Sequence, residues 1–172
     1  SPLGKIPLAQ IDGHWISDSS VILAYLERAY PETPLLSNDP AMAARALWFE
    51  EYADSHMVSS IGGHLFFEII LAPIFFNREP NKEEVELAKT KEIPAIFDYL
   101  EQQFDADYLL GDHLGHADIC LCSPFANMHH CEVYCDETKW PKTAAYIDRV
   151  LANDCFAAIL KEEKELLGAM RG

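Results

Sequence analysis

Three groups of residues have types and spacings that could do chemistry. Asp18-Ser19-Ser20 stands just before an apolar run with helical spacing. A helix N-terminus presents free N–H groups and the positive end of the dipole, so it favours a carboxylate, and the Ser19 hydroxyl adds a donor. Taken alone, the same pair is only an N-cap. Cys120, Cys122, His129, His130, Cys131 and Cys135 supply thiols and imidazoles, the donors zinc takes. Their spacing argues against zinc. Cys120 and Cys122 at i, i+2 point to different sides of a helix, and the adjacent His129 and His130 diverge. Cys131 and Cys135, at i, i+4, are the one pair read as able to share a ligand. The expectation is buried small hydrophobes, surface histidines and no metal. Asp118 falls at the third position of a helix, where capping accounts for it without catalysis.

The elements that must position these residues begin with a hairpin. Ile6 to Ile11 and His14 to Ser17 alternate around Asp12-Gly13, the strongest short hairpin signal. A helix follows, capped by Ser17 or Asp18, with Val21, Ile22, Tyr25 and Leu26 on one face. Two strands and a helix cannot close a core alone. With no initiator Met at position 1, something is expected to precede the chain. Residues 31–40 hold three prolines and read as a stiff connector. Beyond it everything looks helical. Asp39-Pro40 opens a helix carrying Leu47, Trp48, Tyr52, Met57, Val58 and Ile61. Gly62-Gly63 is expected to end or bend it. A second apolar segment covers 64–76, kinked at Pro73, and its Phe66, Phe67, Ile69, Ile70, Phe75 and Phe76 read as core or subunit contact. Asn81 caps the next helix, whose stripe is Ile93, Ile96, Phe97, Leu100 and Phe104. Pro94 predicts a kink or break near Thr90 to Lys91. Gly115-His116-Ala117-Asp118 opens a helix with a Leu114–Ile119 staple, Trp140-Pro141 another, and Asp154 caps a last one. The fold class is α+β, mostly α: a hairpin-plus-helix half-domain, then an all-helical domain.

Composition limits the partners. The chain has 172 residues, 49% hydrophobic and 24% charged, with a net charge of −15. Nucleic acid and anionic membranes demand clustered Lys and Arg, so neither is expected as a partner. No apolar run reaches the roughly 18 residues needed to span a bilayer. Five Cys without a visible secretory signal favour reduced thiols in the cytoplasm.

Four stretches, in order, resemble the cytosolic glutathione S-transferase superfamily, bacterial-type. Ser1-Pro2-Leu3-Gly4-Lys5-Ile6-Pro7 is similar to its Asn-Pro-x-Gly-Lys-Val-Pro. Asp18-Ser19-Ser20-Val21-Ile22-Leu23-Ala24-Tyr25-Leu26 is similar to its Glu/Gln/Asp-Ser-x-Ala-Ile-x-x-Tyr-Leu. Leu110-Gly111-Asp112 with Ala117-Asp118-Ile119, and the stretch from Tyr146 to Phe156, resemble the core-helix opening and the penultimate helix of its second domain. Gly115 departs from the family's Ser or Thr, and Ser1 from its Asn or Ala.

The resemblance implies that residues 1–30 are the C-terminal half of a thioredoxin-like glutathione-binding domain, 31–40 a linker, and 41–172 the all-helical domain. The thiol-activating Tyr, Ser or Cys would lie before residue 1. Ser19 would take the γ-glutamyl carboxylate of the co-substrate glutathione, and Asp18 its amino end. A cis Pro7 would turn the Ile6 backbone towards the cysteinyl unit, and Lys5 would meet the glycyl carboxylate. Tyr52, His56 and Ser59, at i, i+4 and i+7, would line the site of a small hydrophobic electrophile. The implied activity is conjugation, isomerisation or dehalogenation by a homodimer. The alternative is a non-catalytic binding or regulatory protein of the same architecture, like stringent starvation protein A or elongation factor 1 gamma.

Overall fold

The computed structural model describes residues 1–171. Strands β1 (Leu8–Ile11) and β2 (His14–Ser17) pair antiparallel, Leu8 opposite Ser17 and Ile11 opposite His14. The turn residues Asp12 and Gly13 both have positive φ, 50° and 81°. Asp-Gly meets that demand because Gly has no Cβ and Asp tolerates the left-handed region. The Asp12 carboxylate also accepts the Tyr25 and Tyr30 hydroxyls at 3.0 and 2.9 Å, which ties the turn to the following helix. That helix, α1 (Ser19–Ala29), is capped by Asp18, whose side chain accepts from the Ser20 and Val21 N–H groups. Its buried residue is Leu23, while Val21 is exposed. The inward face is therefore rotated from the expected one.

Helix α2 (Pro40–Phe76) is continuous over 37 residues. Asp39 caps it through Ala41 and Met42, with Pro40 at the first turn. The end or bend expected at Gly62-Gly63 does not occur. From Tyr52 to Leu71 the helix runs in wide, π-type turns, closed by the Ala72 N–H on the Phe67 carbonyl. Regular α-turns resume over Ala72–Phe76, where Pro73 enters, and Asn77 in the left-handed region closes the helix. Helix α3 repeats the arrangement. It covers residues 82–100 as Lys82–Leu87, wide turns at Ala88–Glu92, and Ile93–Leu100 with Pro94 in its first turn. A proline ring clashes with the carbonyl four residues back. A widened turn before it relieves that clash, so the break predicted near Thr90 to Lys91 is a π-turn inside a continuing helix.

By length and a mean hydropathy of 1.6, α2 is apolar enough to cross a membrane. Here its inner face forms the core: Phe49, Ala53, Met57, Ile61, Leu65 and Ile70 are fully buried. They recur every four or five residues, wider than the 3.6 of an α-helix, as π-turns require. Helix α4 (His116–His130) packs along α2 and contributes Leu121, Phe125 and Met128. Helices α5 (Pro141–Leu151) and α6 (Asp154–Arg171) complete the bundle. Asn153, not Asp154, caps α6, its side chain accepting from the Cys155 N–H.

Buried polar groups fix how these helices meet. Asp118 is 1% exposed and accepts three bonds. They come from the Gly115 N–H at 2.8 Å, the Leu109 N–H at 3.0 Å and the Tyr146 hydroxyl at 2.8 Å. It therefore caps α4, holds the preceding loop and anchors α5. Gly115 supplies no side-chain cap. The linker supplies a backbone acceptor instead: the Leu35 carbonyl accepts the His116 N–H at 3.1 Å. Glu68 on α2 accepts Arg78 through both oxygens, at 2.7 and 2.8 Å, and the Asn81 N–H at 2.6 Å. The Arg78 guanidinium holds its carboxyl below the ordinary value.

Candidate glutathione-binding site

The start of the chain brings two of the sequence-predicted elements into direct contact. Gly4 closes a turn on the Ser1 carbonyl, and the Ile6–Pro7 bond is cis. The Pro7 carbonyl then accepts the Asp18 N–H at 3.2 Å, so the entry to β1 sits against the N-terminus of α1. Asp18 has φ 82°, an uncommon value for a residue with a side chain. That conformation turns the chain sharply from β2 into α1 and lets its Oδ1 reach back to the helix N–H groups. Ser19 is exposed, and its hydroxyl has no partner among the described residues. Ile6 is 92% exposed, and Lys5 is exposed beside it. Exposed backbone next to the positive end of α1 and a free hydroxyl suits an extended ligand that carries a carboxylate.

The three α2 residues have surroundings of their own. The Tyr52 ring packs on Tyr99 of α3 at 4.9 Å and on His56 at 5.2 Å. Burial pushes the Tyr52 hydroxyl up to about 12, so it stays protonated. Ser59 is exposed. The α1 side of α2 is held instead by Glu50, roughly half a turn from Tyr52. The Ser20 hydroxyl donates to Glu50 Oε1, and Glu50 Oε2 pairs with His116 Nε2 of α4 at 2.9 Å. The Cys120 thiol lies 3.5 Å from the same nitrogen. Burial, then the carboxylates of Glu50, Asp54 and Asp118, push that thiol up to about 12. Burial and the neighbouring Glu50 and Asp18 also raise Asp54.

Sequence reasoning missed this cluster. Its signal in the sequence is the i, i+4 spacing of His116 and Cys120, the same spacing as Cys131 and Cys135. Cys135 instead donates to the Trp140 carbonyl at 3.9 Å. The expected surface histidines are also corrected. The His130 side chain is 7% exposed and pairs with Glu163 at 3.0 Å, and the His129 ring packs at a tilt on Tyr134 at 4.9 Å.

A short hairpin leading into a capped helix, followed by a bundle built around a long central helix, defines a mostly helical fold class. Comparison with known proteins specifies it. The profile "Glutathione S-transferase, C-terminal domain" matches residues 64–154, just over half of the chain. The chain belongs to that family. Among curated proteins it is 23% identical to glutathione S-transferase DHAR3, chloroplastic, of Arabidopsis thaliana, over 99% of this chain and 59% of the relative. It is 28% identical to maleylacetoacetate isomerase of Dictyostelium discoideum, over 82% of this chain and 62% of the relative. The chain thus spans about three-fifths of the length of these relatives. Among solved structures, a glutathione S-transferase from Rhodospirillum rubrum superposes with a TM-score of 0.80 at 23% identity, over 90% of this chain and 70% of that one. At that identity the likeness concerns the fold alone.

Proposed function

We propose that this chain is the glutathione-holding and helical part of a glutathione transferase. Residues 1–30 form the C-terminal half of a thioredoxin-like domain, 31–40 the linker and 41–172 the helical domain. Ser19 and the N-terminus of α1 receive the γ-glutamyl carboxylate, and Asp18 the amino group. The Ile6 backbone pairs with the cysteinyl unit as an added strand would, and Lys5 meets the glycyl carboxylate. Tyr52, His56 and Ser59 belong to the electrophile side, His56 and Ser59 exposed on α2 and the half-buried Tyr52 ring packed on Tyr99. The group that activates the thiol comes from outside residues 1–172. The reaction adds the glutathione thiol to a hydrophobic electrophile, or isomerises or dehalogenates it through the thiol adduct.

The observation that carries this reading is the Asp18 N–H bond to the Pro7 carbonyl, which sets the strand-entry backbone beside the N-terminus of α1. Apolar residues left exposed on the hairpin and α1, Leu8, Trp15 and Val21, suit a face that packs against further structure. A cytoplasmic homodimer belongs to the same reading, with exposed Trp48, Phe75 and Phe76 available for contact. The test is retention on immobilised glutathione, and conjugation of a generic aryl halide, by the whole protein. Ser19→Ala should lower glutathione affinity about 10- to 100-fold, the worth of one hydrogen bond to a carboxylate. A protein that neither is retained nor conjugates would favour the non-catalytic alternative.

A further inference from the structure

We propose that Glu50, His116 and Cys120 form a binding site for a divalent cation of the zinc type, built between α2 and α4 and braced by α1. The three donor atoms lie within 4.8 Å of one another. They are a carboxylate oxygen, an imidazole nitrogen and a thiol sulfur, the three ligand types zinc takes. Glu50 and His116 are each 6% exposed, and the half-buried Cys120 offers the side from which an ion can enter.

The His116 ring brings the three donors together. His116 Nε2 has one position, either a proton or a lone pair. Two partners face it: Glu50 Oε2 at 2.9 Å and Cys120 Sγ at 3.5 Å. With the single proton on Nε2 turned to Glu50, the thiol keeps only its long contact to Nδ1, at 3.8 Å. A tetrahedral ion among the three atoms would engage all of them. With metal–nitrogen and metal–sulfur distances of about 2.0 and 2.3 Å, its nitrogen–sulfur edge would be about 3.5 Å. The nitrogen–sulfur separation is close to that edge, but the sulfur also lies 3.8 Å from Nδ1, so the imidazole must turn and the Glu50 oxygen withdraw for an ion to sit among the three. The Ser20 hydroxyl on Glu50 Oε1 leaves Oε2 to the ion and orients the carboxylate, as outer hydrogen bonds do at metal sites. On binding, the thiol releases its proton to solvent and Nε2 presents its lone pair. The fourth position falls to water or another small ligand.

The spacing that led the sequence analysis to expect no metal concerned other cysteines. Here two ligands come from one helical turn of α4, and the third lies 66 residues earlier in the chain.

The experiment is cobalt titration of the purified, chelator-treated chain under reducing conditions, followed by zinc competition. One equivalent of cobalt should bind, with visible bands of tetrahedral coordination and a near-ultraviolet thiolate-to-cobalt band, and one equivalent of zinc should displace it. Cys120→Ala should abolish the thiolate band and weaken zinc binding at least tenfold, with far-ultraviolet circular dichroism unchanged. Cys122→Ala and Cys155→Ala should leave both signals intact. Glu50→Gln, which keeps the bond from Ser20, should weaken binding while the thiolate band remains. Absence of stoichiometric binding, or a thiolate band that survives Cys120→Ala, would overturn the proposal.

Discussion

Replacing Asp118 by Asn should destabilise the fold by about 2–5 kcal/mol, although it changes neither volume nor shape. Asp118 offers two acceptor oxygens to three donors. Oδ1 serves the Leu109 N–H and the Tyr146 hydroxyl, and Oδ2 serves the Gly115 N–H. Asn keeps one oxygen. If that oxygen stays with Leu109 and Tyr146, the new NH2 group faces the Gly115 N–H at 2.8 Å, donor against donor. A buried donor left unsatisfied costs about 1–3 kcal/mol, and the two remaining bonds lose the roughly twofold strength their charge confers. Against a typical total of 5–15 kcal/mol the loss is large. The assay is urea unfolding followed at 222 nm, with the midpoint falling at an unchanged slope. Tyr146→Phe should cost about 1.5–3 kcal/mol in the native background and clearly less beside Asp118→Asn, because both touch one bond. An Asp118→Asn protein within about 0.5 kcal/mol of the native chain, or full additivity of the pair, would refute the reasoning.

Three further outcomes follow from the same geometry. Arg78 keeps the Glu68 carboxyl below its ordinary value of 4.5, so the unfolded chain takes up that proton first. The stabilisation is present above about pH 4.5 and fades as pH falls through the lower native value; urea midpoints from pH 6 to pH 3 should show it, and Glu68→Gln should flatten the profile. Trp140→Phe removes the 2.7 Å bond from Nε1 to Asp98 and should cost about 1.5–3 kcal/mol in the same unfolding assay, with the aromatic contact to Phe97 largely kept. Gly13→Ala meets no atom within 4 Å but must hold φ 81°, so its cost, also read from unfolding, should be the backbone penalty of about 1 kcal/mol.

Local signals were the legible part of the chain. Asp12-Gly13, Asp18, Asp39-Pro40 and Asn81 each ended or began an element where the structure has it, because turns and caps depend on neighbours two to four residues away. Gly62-Gly63 misled because glycine's helix penalty is about 1 kcal/mol, which burial of Met57, Ile61 and Leu65 overrides. The wide turns of α2 and α3 could not be read from a 3.6-residue template, since their apolar stripe drifts away from it. At the candidate site, Lys5 to Pro7 and Asp18-Ser19 were visible as local motifs, and only the fold showed Pro7 bonded to Asp18. The Glu50–His116–Cys120 cluster joins helices far apart in sequence, so one sequence could show no more than its His116–Cys120 half.

Titration of the isotopically labelled chain with glutathione, followed by two-dimensional amide NMR, tests the central claim most directly. The account predicts saturable shifts of the Ile6, Asp18, Ser19 and Ser20 amides, and an affinity about 10- to 100-fold weaker for Ser19→Ala. Shifts confined to other parts of the chain, or an affinity that Ser19→Ala leaves unchanged, would contradict it.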